Sequence, residues 1–272
     1  MSSIILDIAV LLYLASTGVY TAFFFTRKDR LLTTAQYILI GGFIVNSAAV
    51  LARWIEAGRI PATTLHESLA LFAFITVSLY IIALFRYKQR VLGAFVAPFA
   101  LIISIIAVFM PRGIAPLSPA LVSYWLPVHI LIAIAGNAFF ALAFFLSVMY
   151  VIQERHLKQR NFKGLFFVMP SLETLDELNY RCLQIGFPLL TLAIVSGAIW
   201  SQNAVGSYWL WKPRQIWSLI TWFLYAALLH GRLTAGWRGR KAAIFSGIAF
   251  ATLVGAFILI NLLLGGAHGL AR

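Results

Sequence analysis

Apolar runs of about 18 residues or more recur along the chain, and that is the length a helix needs to cross roughly 30 Å of hydrocarbon. In lipid a short run satisfies its own backbone only as a helix, and the alternating pattern of a membrane β-barrel is absent. The spans expected are about Ile4–Phe25, Gln36–Leu51, Glu67–Phe85, Val91–Met110, Tyr124–Ile152, Leu183–Trp200, Gln215–His230 and Ala242–Leu264. The fold class is therefore all-α: a polytopic membrane protein of about eight transmembrane helices, read as one domain over residues 1–272. Hydrophobic residues make up 62% of the chain and charged residues 11%, which leaves no polar stretch long enough to fold as a soluble domain.

The connections carry the punctuation. Pro111, Pro116 and Pro119 mark a true boundary after the fourth span. Ser171, followed by Glu173, Asp176 and Glu177, has the pattern of a capped helix start and predicts an amphipathic lead-in to the sixth span. The first span has no basic region before it and carries Asp7, so a permanent helix is expected there, not a cleaved signal. Cys182 is the only cysteine, which excludes an internal disulfide, a CxxC motif and a cysteine zinc site.

The net charge of +13 is distributed in short clusters between the apolar runs, where it orients a membrane protein; nucleic acid is not expected as a partner. With both termini outside, the inner loops hold Arg27, Lys28 and Arg30; Arg86, Lys88 and Arg90; Arg155, Lys158, Arg160, Lys163 and Arg181; and Arg232, Arg238, Arg240 and Lys241. These are fifteen of the 21 basic residues, so both termini are expected on the outer, periplasmic side of an inner (plasma) membrane.

That topology places the densest aromatic stretch, residues 200–222, on the outer side as a Trp-rich loop. It contains Trp200, Trp209, Trp211, Trp217 and Trp222, five of the eight tryptophans, together with Tyr208, Lys212 and Arg214. Two readings fit: an interfacial aromatic belt with snorkelling cations, or a wall for a flat aromatic ligand whose carboxylates Arg214 meets. His66, His129 and His268 come out on the same outer side, and neutral imidazole is a good iron ligand. His230 lies roughly 22 Å from the outer end of the seventh span at 1.5 Å per residue. An ionisable group within a span is a functional candidate, while His156, in a basic connector, reads as solvated. A transporter or the b-haem anchor of a respiratory complex calls for histidine pairs within the spans, and only His230 is placed for that.

At these residues the chain resembles the cytochrome c assembly family, which includes CcsA and CcmC. That family's pattern is close to WGxYWxWDPKETWxLITWxxYxxYLHxR, and Gly206, Tyr208, Trp209, Trp211, Pro213, Trp217, Leu219, Ile220, Thr221, Trp222, Tyr225, Leu229, His230 and Arg232 match it. The resemblance extends through GWRGRK and NLLLGGAHG to the end of the chain, and more weakly back through His129. It implies an eight-span CcsA fold that binds haem b, with His129 and His268 as outer axial ligands to the iron. It further implies a haem-binding set of Tyr208, Trp209, Trp211, Trp217, Trp222 and Arg214, with His230 as the intramembrane histidine. The implied role is presentation of haem at the outer face for attachment to apocytochrome c, in the bilayer beside a CcsB/ResB-like subunit. Lys212, Arg214, Gln215 and Ile216 stand where the pattern has Asp, Lys, Glu and Thr. If the aromatics around it are desolvated, the charge reversal at Lys212 is not neutral. The alternative is the HemX-like branch, a membrane regulator or scaffold partnered with a haem biosynthesis enzyme at glutamyl-tRNA reductase.

Overall fold

The computed structural model describes residues 1–114, 123–160 and 165–263, and within these the protein is helical. Nine α-helices follow in order: α1 (Ser2–Thr26), α2 (Asp29–Ala57), α3 (Leu65–Tyr87), α4 (Gly93–Phe109), α5 (Trp125–Lys158), the one-turn α6 (Leu165–Val168), α7 (Leu172–Val205), α8 (Pro213–Thr234) and α9 (Gly239–Leu263). A short 3₁₀ turn, Arg90–Leu92, leads into α4. Among the described residues, eight helices are long and apolar enough to cross a membrane, as the sequence predicts. The Pro116–Pro119 stretch, residues 161–164 of the basic connector and His268 lie outside the described residues.

Several helices outrun the apolar segments that announced them. The second helix begins at Asp29, not near Gln36, because Arg27 adopts a left-handed backbone (φ 58°) and turns the chain within two residues. The lead-in at Ser171 and the sixth span are one uninterrupted helix, α7. Ser171 caps it by accepting the Thr174 N–H at 3.2 Å, as its position predicts. Polar residues continue these helices because their backbone bonds run along the helix and do not depend on the membrane boundary.

The chain forms two compact units. The first comprises residues 1–114 and 159–170 and contains α1 to α4. There α1 and α2 form an antiparallel hairpin: Ser16 Oγ donates to the Ala35 carbonyl, and the Tyr13 ring lies against Gly42, where a Cβ would come within 2.8 Å of it. Asn46 Nδ2 donates to the Tyr13 hydroxyl at 3.3 Å. The Tyr20 and Tyr80 hydroxyls meet at 3.3 Å over Gly93, the residue that opens α4.

The second unit, residues 115–158 and 171–272, contains α5 and α7 to α9. Its spine is the antiparallel pair α5–α7, which approaches closely through small residues. A Cβ on Gly136 would lie 3.3 Å from the Leu190 amide nitrogen, and one on Gly186 would strike the Phe140 ring at 2.8 Å. Further along the same pair, Asn179 Nδ2 is shared by the Ala143 carbonyl (2.8 Å) and the hydroxyls of Ser147 (2.9 Å) and Ser246 (3.1 Å), tying α9 to it. Tyr225 of α8 stacks on Phe140 with ring centroids 3.7 Å apart. Asp176 at the start of α7 holds Arg232 of α8 at 2.8 and 3.0 Å and accepts the Gly239 N–H that opens α9 at 3.0 Å.

Candidate functional site

One stripe of α7 organises the candidate site. Ala193, Gly197 and Ser201 are spaced four apart and so share a helix face. The Ala193 carbonyl accepts a hydrogen bond from His129 Nδ1 of α5 at 2.8 Å. A carbonyl has no proton to give, so the hydrogen sits on Nδ1 and neutral His129 carries its lone pair on Nε2. Gly197 lies beneath the same imidazole, where a Cβ would be 2.8 Å from Cε1 and 2.9 Å from Nδ1. Ser201, buried, donates its hydroxyl to the Ser207 carbonyl at 2.7 Å and anchors the loop that follows.

That loop is shorter than the aromatic stretch suggested. Trp200 belongs to α7, while Trp217 and Trp222 belong to α8, so residues 206–212 alone connect the two helices. Gly206 ends α7 with φ 74°, a left-handed cap that glycine takes without steric cost. Ser207 donates to the Trp209 carbonyl at 3.1 Å. Trp211 also has a left-handed backbone, φ 54°, uncommon for a bulky side chain, and it stands 69% exposed beside Tyr208 at 60%. The rings of Trp209 and Trp211 meet edge to face at 5.9 Å. Among the described residues Trp209 Nε1 is buried without an acceptor.

The departures from the family pattern acquire a physical account here. Lys212 is the N-cap of α8 and has no acceptor with which to cap it, whereas the Asp of the pattern would do so. Gln215, three residues on, serves a different pair of donors: its Oε1 receives the Leu210 N–H at 2.9 Å and the Lys212 N–H at 3.3 Å. An amide oxygen thus makes the loop contacts that a Glu carboxylate at this position is suited to make, without its charge. Lys212 itself is exposed, as are Tyr208 and Trp211, while the Trp209 indole nitrogen is buried.

The remaining candidates separate along α8. Arg214 is on its exposed first turn and Trp217 is half-buried one turn in. Trp222 lies deeper, its Nε1 donating to Thr191 of α7 at 2.9 Å and its ring 5.3 Å from Phe187, so it packs α8 onto α7. His230 is exposed in the penultimate turn, about 26 Å along the axis from Pro213 at 1.5 Å per residue, and the structure does not bring it to His129. The sequence does not single out Ala193, Gly197, Ser201 or Thr191: Ala193, Gly197 and Thr191 act on partners distant in the chain, and Ser201 on a backbone carbonyl six residues on that no motif announces.

The first unit holds a second polar centre. Arg53, within α2 and buried, donates Nε to Glu67 at 3.0 Å and its two terminal nitrogens to the Arg112 and Gly113 carbonyls at 2.9 Å each. Glu67 completes a capping box with Thr64 at the start of α3. His66 is 4% exposed, and its Nδ1 bonds the Ala107 carbonyl at 2.7 Å, so it is a packed residue of the α3–α4 pair and not a surface histidine. Among the described residues no three His, Cys, Asp or Glu side chains converge to hold a metal ion.

Eight helices long and apolar enough to cross a membrane define an all-α polytopic membrane protein, whose second unit carries an exposed tryptophan loop and a histidine bonded to a backbone carbonyl. The sequence profile of the cytochrome C assembly protein family matches residues 62–268, and the chain belongs to that family. It is 36% identical over 226 residues to the cytochrome c biogenesis protein CcsA of Chlamydomonas reinhardtii, spanning 80% of this chain and 63% of that one. Its identity to CcsA of Guillardia theta is 37% over 238 residues, 79% of this chain and 78% of the relative. Among solved structures, the cytochrome c haem lyase CcmF superposes with a TM-score of 0.73 over 94% of this chain and 46% of its own, at 19% identity, a likeness of fold alone.

Proposed function

We propose that this chain handles haem b as cargo in c-type cytochrome biogenesis, presenting it at the outer face of the inner membrane for attachment to apocytochrome c. His129 and His268 would supply the axial nitrogens. Trp209, Trp211, Trp217 and Tyr208 would lie along the porphyrin and Arg214 would meet a propionate, with Trp222 holding α8 in place behind them. His230, at the far end of α8, would serve an earlier, intramembrane stage. The sequence relatives are named for cytochrome c biogenesis; a CcsB/ResB-like subunit and the apocytochrome are the partners this reading requires.

The observation that carries the reading is the His129 Nδ1–H to Ala193 carbonyl bond. Histidines that ligate metals characteristically donate their other ring nitrogen to a carbonyl or carboxylate, which orients the ring and makes the free nitrogen more basic. His66 makes the same kind of bond, to the Ala107 carbonyl, as a packed residue of the first unit; what sets His129 apart is that the face of α7 that holds it also anchors the tryptophan loop through Ser201.

Protein purified from haem-replete cells is expected to show a Soret band with low-spin character, lost when both His129→Ala and His268→Ala are introduced. Haem content unchanged in that double variant would exclude the outer site. Deletion of the gene should abolish c-type cytochromes while leaving the level of glutamyl-tRNA reductase unaltered; the reverse pattern would assign the chain to regulation of haem biosynthesis.

A further inference from the structure

We propose that Gly197 of α7 is a positioning residue for His129: its missing side chain is the seat for the Nδ1–Cε1 edge of the imidazole, so that Nδ1 reaches the Ala193 carbonyl and Nε2 is aimed outward as the ligating atom. The inference rests on the reading of His129 as a haem ligand and adds to it the group that sets the ligand's orientation.

Three observations carry it. A Cβ at Gly197 would meet Cε1 at 2.8 Å and Nδ1 at 2.9 Å but Nε2 only at 3.5 Å, so the ring rests on the glycine by the edge that does not ligate. Ordinary contact begins at about 3.4 Å, and an added methyl would displace the ring by about 0.6 Å, beyond the roughly 0.5 Å within which a functional group must be held. The same displacement would pull Nδ1 from a carbonyl now 2.8 Å away. Finally, glycine is a poor helix former, and neither helix propensity nor a backbone turn accounts for it here, because α7 continues unbroken through residue 197 to Val205. Gly136 and Gly186 serve the α5–α7 approach further along, whereas at Gly197 the three nearest atoms to an added Cβ all belong to the His129 ring.

The stripe gives the contact a wider meaning. Ser201, one turn beyond Gly197, anchors the tryptophan hairpin through the Ser207 carbonyl, so a single face of α7 registers both the histidine and the aromatic loop. A ring displaced from Gly197 changes its position relative to that loop even when the loop itself is undisturbed.

The test uses the full-length protein, purified from haem-replete cells, with haem per polypeptide and optical and EPR spin state as readouts. Gly197→Ala is expected to accumulate normally yet retain about 10-fold less haem, or to retain it in high-spin form, with added imidazole restoring the low-spin spectrum. Gly247→Ala on α9, where a Cβ meets open space, should leave all of this unchanged and controls for alanine in a membrane helix. In a His129→Gly background, with imidazole supplied in solution, adding Gly197→Ala should have no further effect, because the clash is with the tethered ring. If Gly197→Ala fails to accumulate, its recovery in the His129→Gly background would show the same clash, and failure there too would make Gly197 a structural residue and overturn the proposal. A wild-type spectrum in Gly197→Ala, with His129→Ala devoid of low-spin haem, would overturn it while leaving the haem reading intact. Unaltered haem in His129→Ala would remove both.

Discussion

His129, Trp211 and Lys212 each solve a local problem with a different physical consequence. His129 owes its tautomer to a single backbone carbonyl, and no substitution of another side chain can supply that bond. Trp211 holds an exposed indole on a left-handed backbone, a conformation that costs a non-glycine residue about 1–2 kcal/mol and persists only where the surroundings impose it. Trp211→Gly is therefore expected to leave thermal stability unchanged or raise it by about 1 kcal/mol while lowering haem retention; a parallel loss of both would mean the ring packs structurally. Lys212 is a poor N-cap. Lys212→Asp should stabilise α8 by about 1 kcal/mol, read as an increase in the melting temperature in detergent, because a carboxylate both accepts the orphan N–H groups and complements the helix dipole. Gln215→Ala should cost about 0.5 kcal/mol, because the exposed Leu210 and Lys212 N–H groups exchange Gln215 for water, whereas Gln215→Glu should be tolerated.

At the level of elements, α7 is the member on which the second unit depends. Its N-terminal turn binds α8 and α9 through Asp176, its middle meets α5 across Gly186, and its last turns carry the histidine seat and the hairpin anchor. The Arg232 guanidinium held by Asp176 is 5% exposed and also lies 4.6 Å over the Tyr180 ring. Asp176→Ala would leave that charge buried and unpaired, and the expected loss is about 3 kcal/mol, visible as a lowered melting temperature and increased proteolysis of the α8–α9 connection. The sixth span was legible as an apolar run and Ser171 as a cap, but their union in one 34-residue helix was not. Hydropathy reports where a helix meets lipid, while hydrogen bonding along the axis decides where it ends.

For the molecule as a whole, the asymmetry of its basic residues leads to a topology that can be measured. Tags at either terminus, and a cysteine placed at the exposed Trp211, should react with membrane-impermeant reagents from the periplasmic side, and a cysteine at Lys88 should not; the opposite pattern would invert the site with respect to its substrate. The sequence by itself determined the eight spans, the all-α class and the family. Apolar length and a long aromatic motif are properties of contiguous residues, and they survive without any knowledge of what packs where. It also placed His129 and the tryptophans on one list, without separating those that form the exposed hairpin from Trp222, which bonds Thr191 and packs against α7. Arg53 and Glu67 lie fourteen residues apart with nothing in the sequence to pair them, yet they are a buried pair, because their neutralisation depends on partners brought together from α2, α3 and the end of α4. Only the tertiary structure decided that a featureless carbonyl at Ala193 and the bare Cα of Gly197 orient the histidine. A backbone acceptor and an absent side chain have no signature in a sequence until the helix carrying them is laid against its partner.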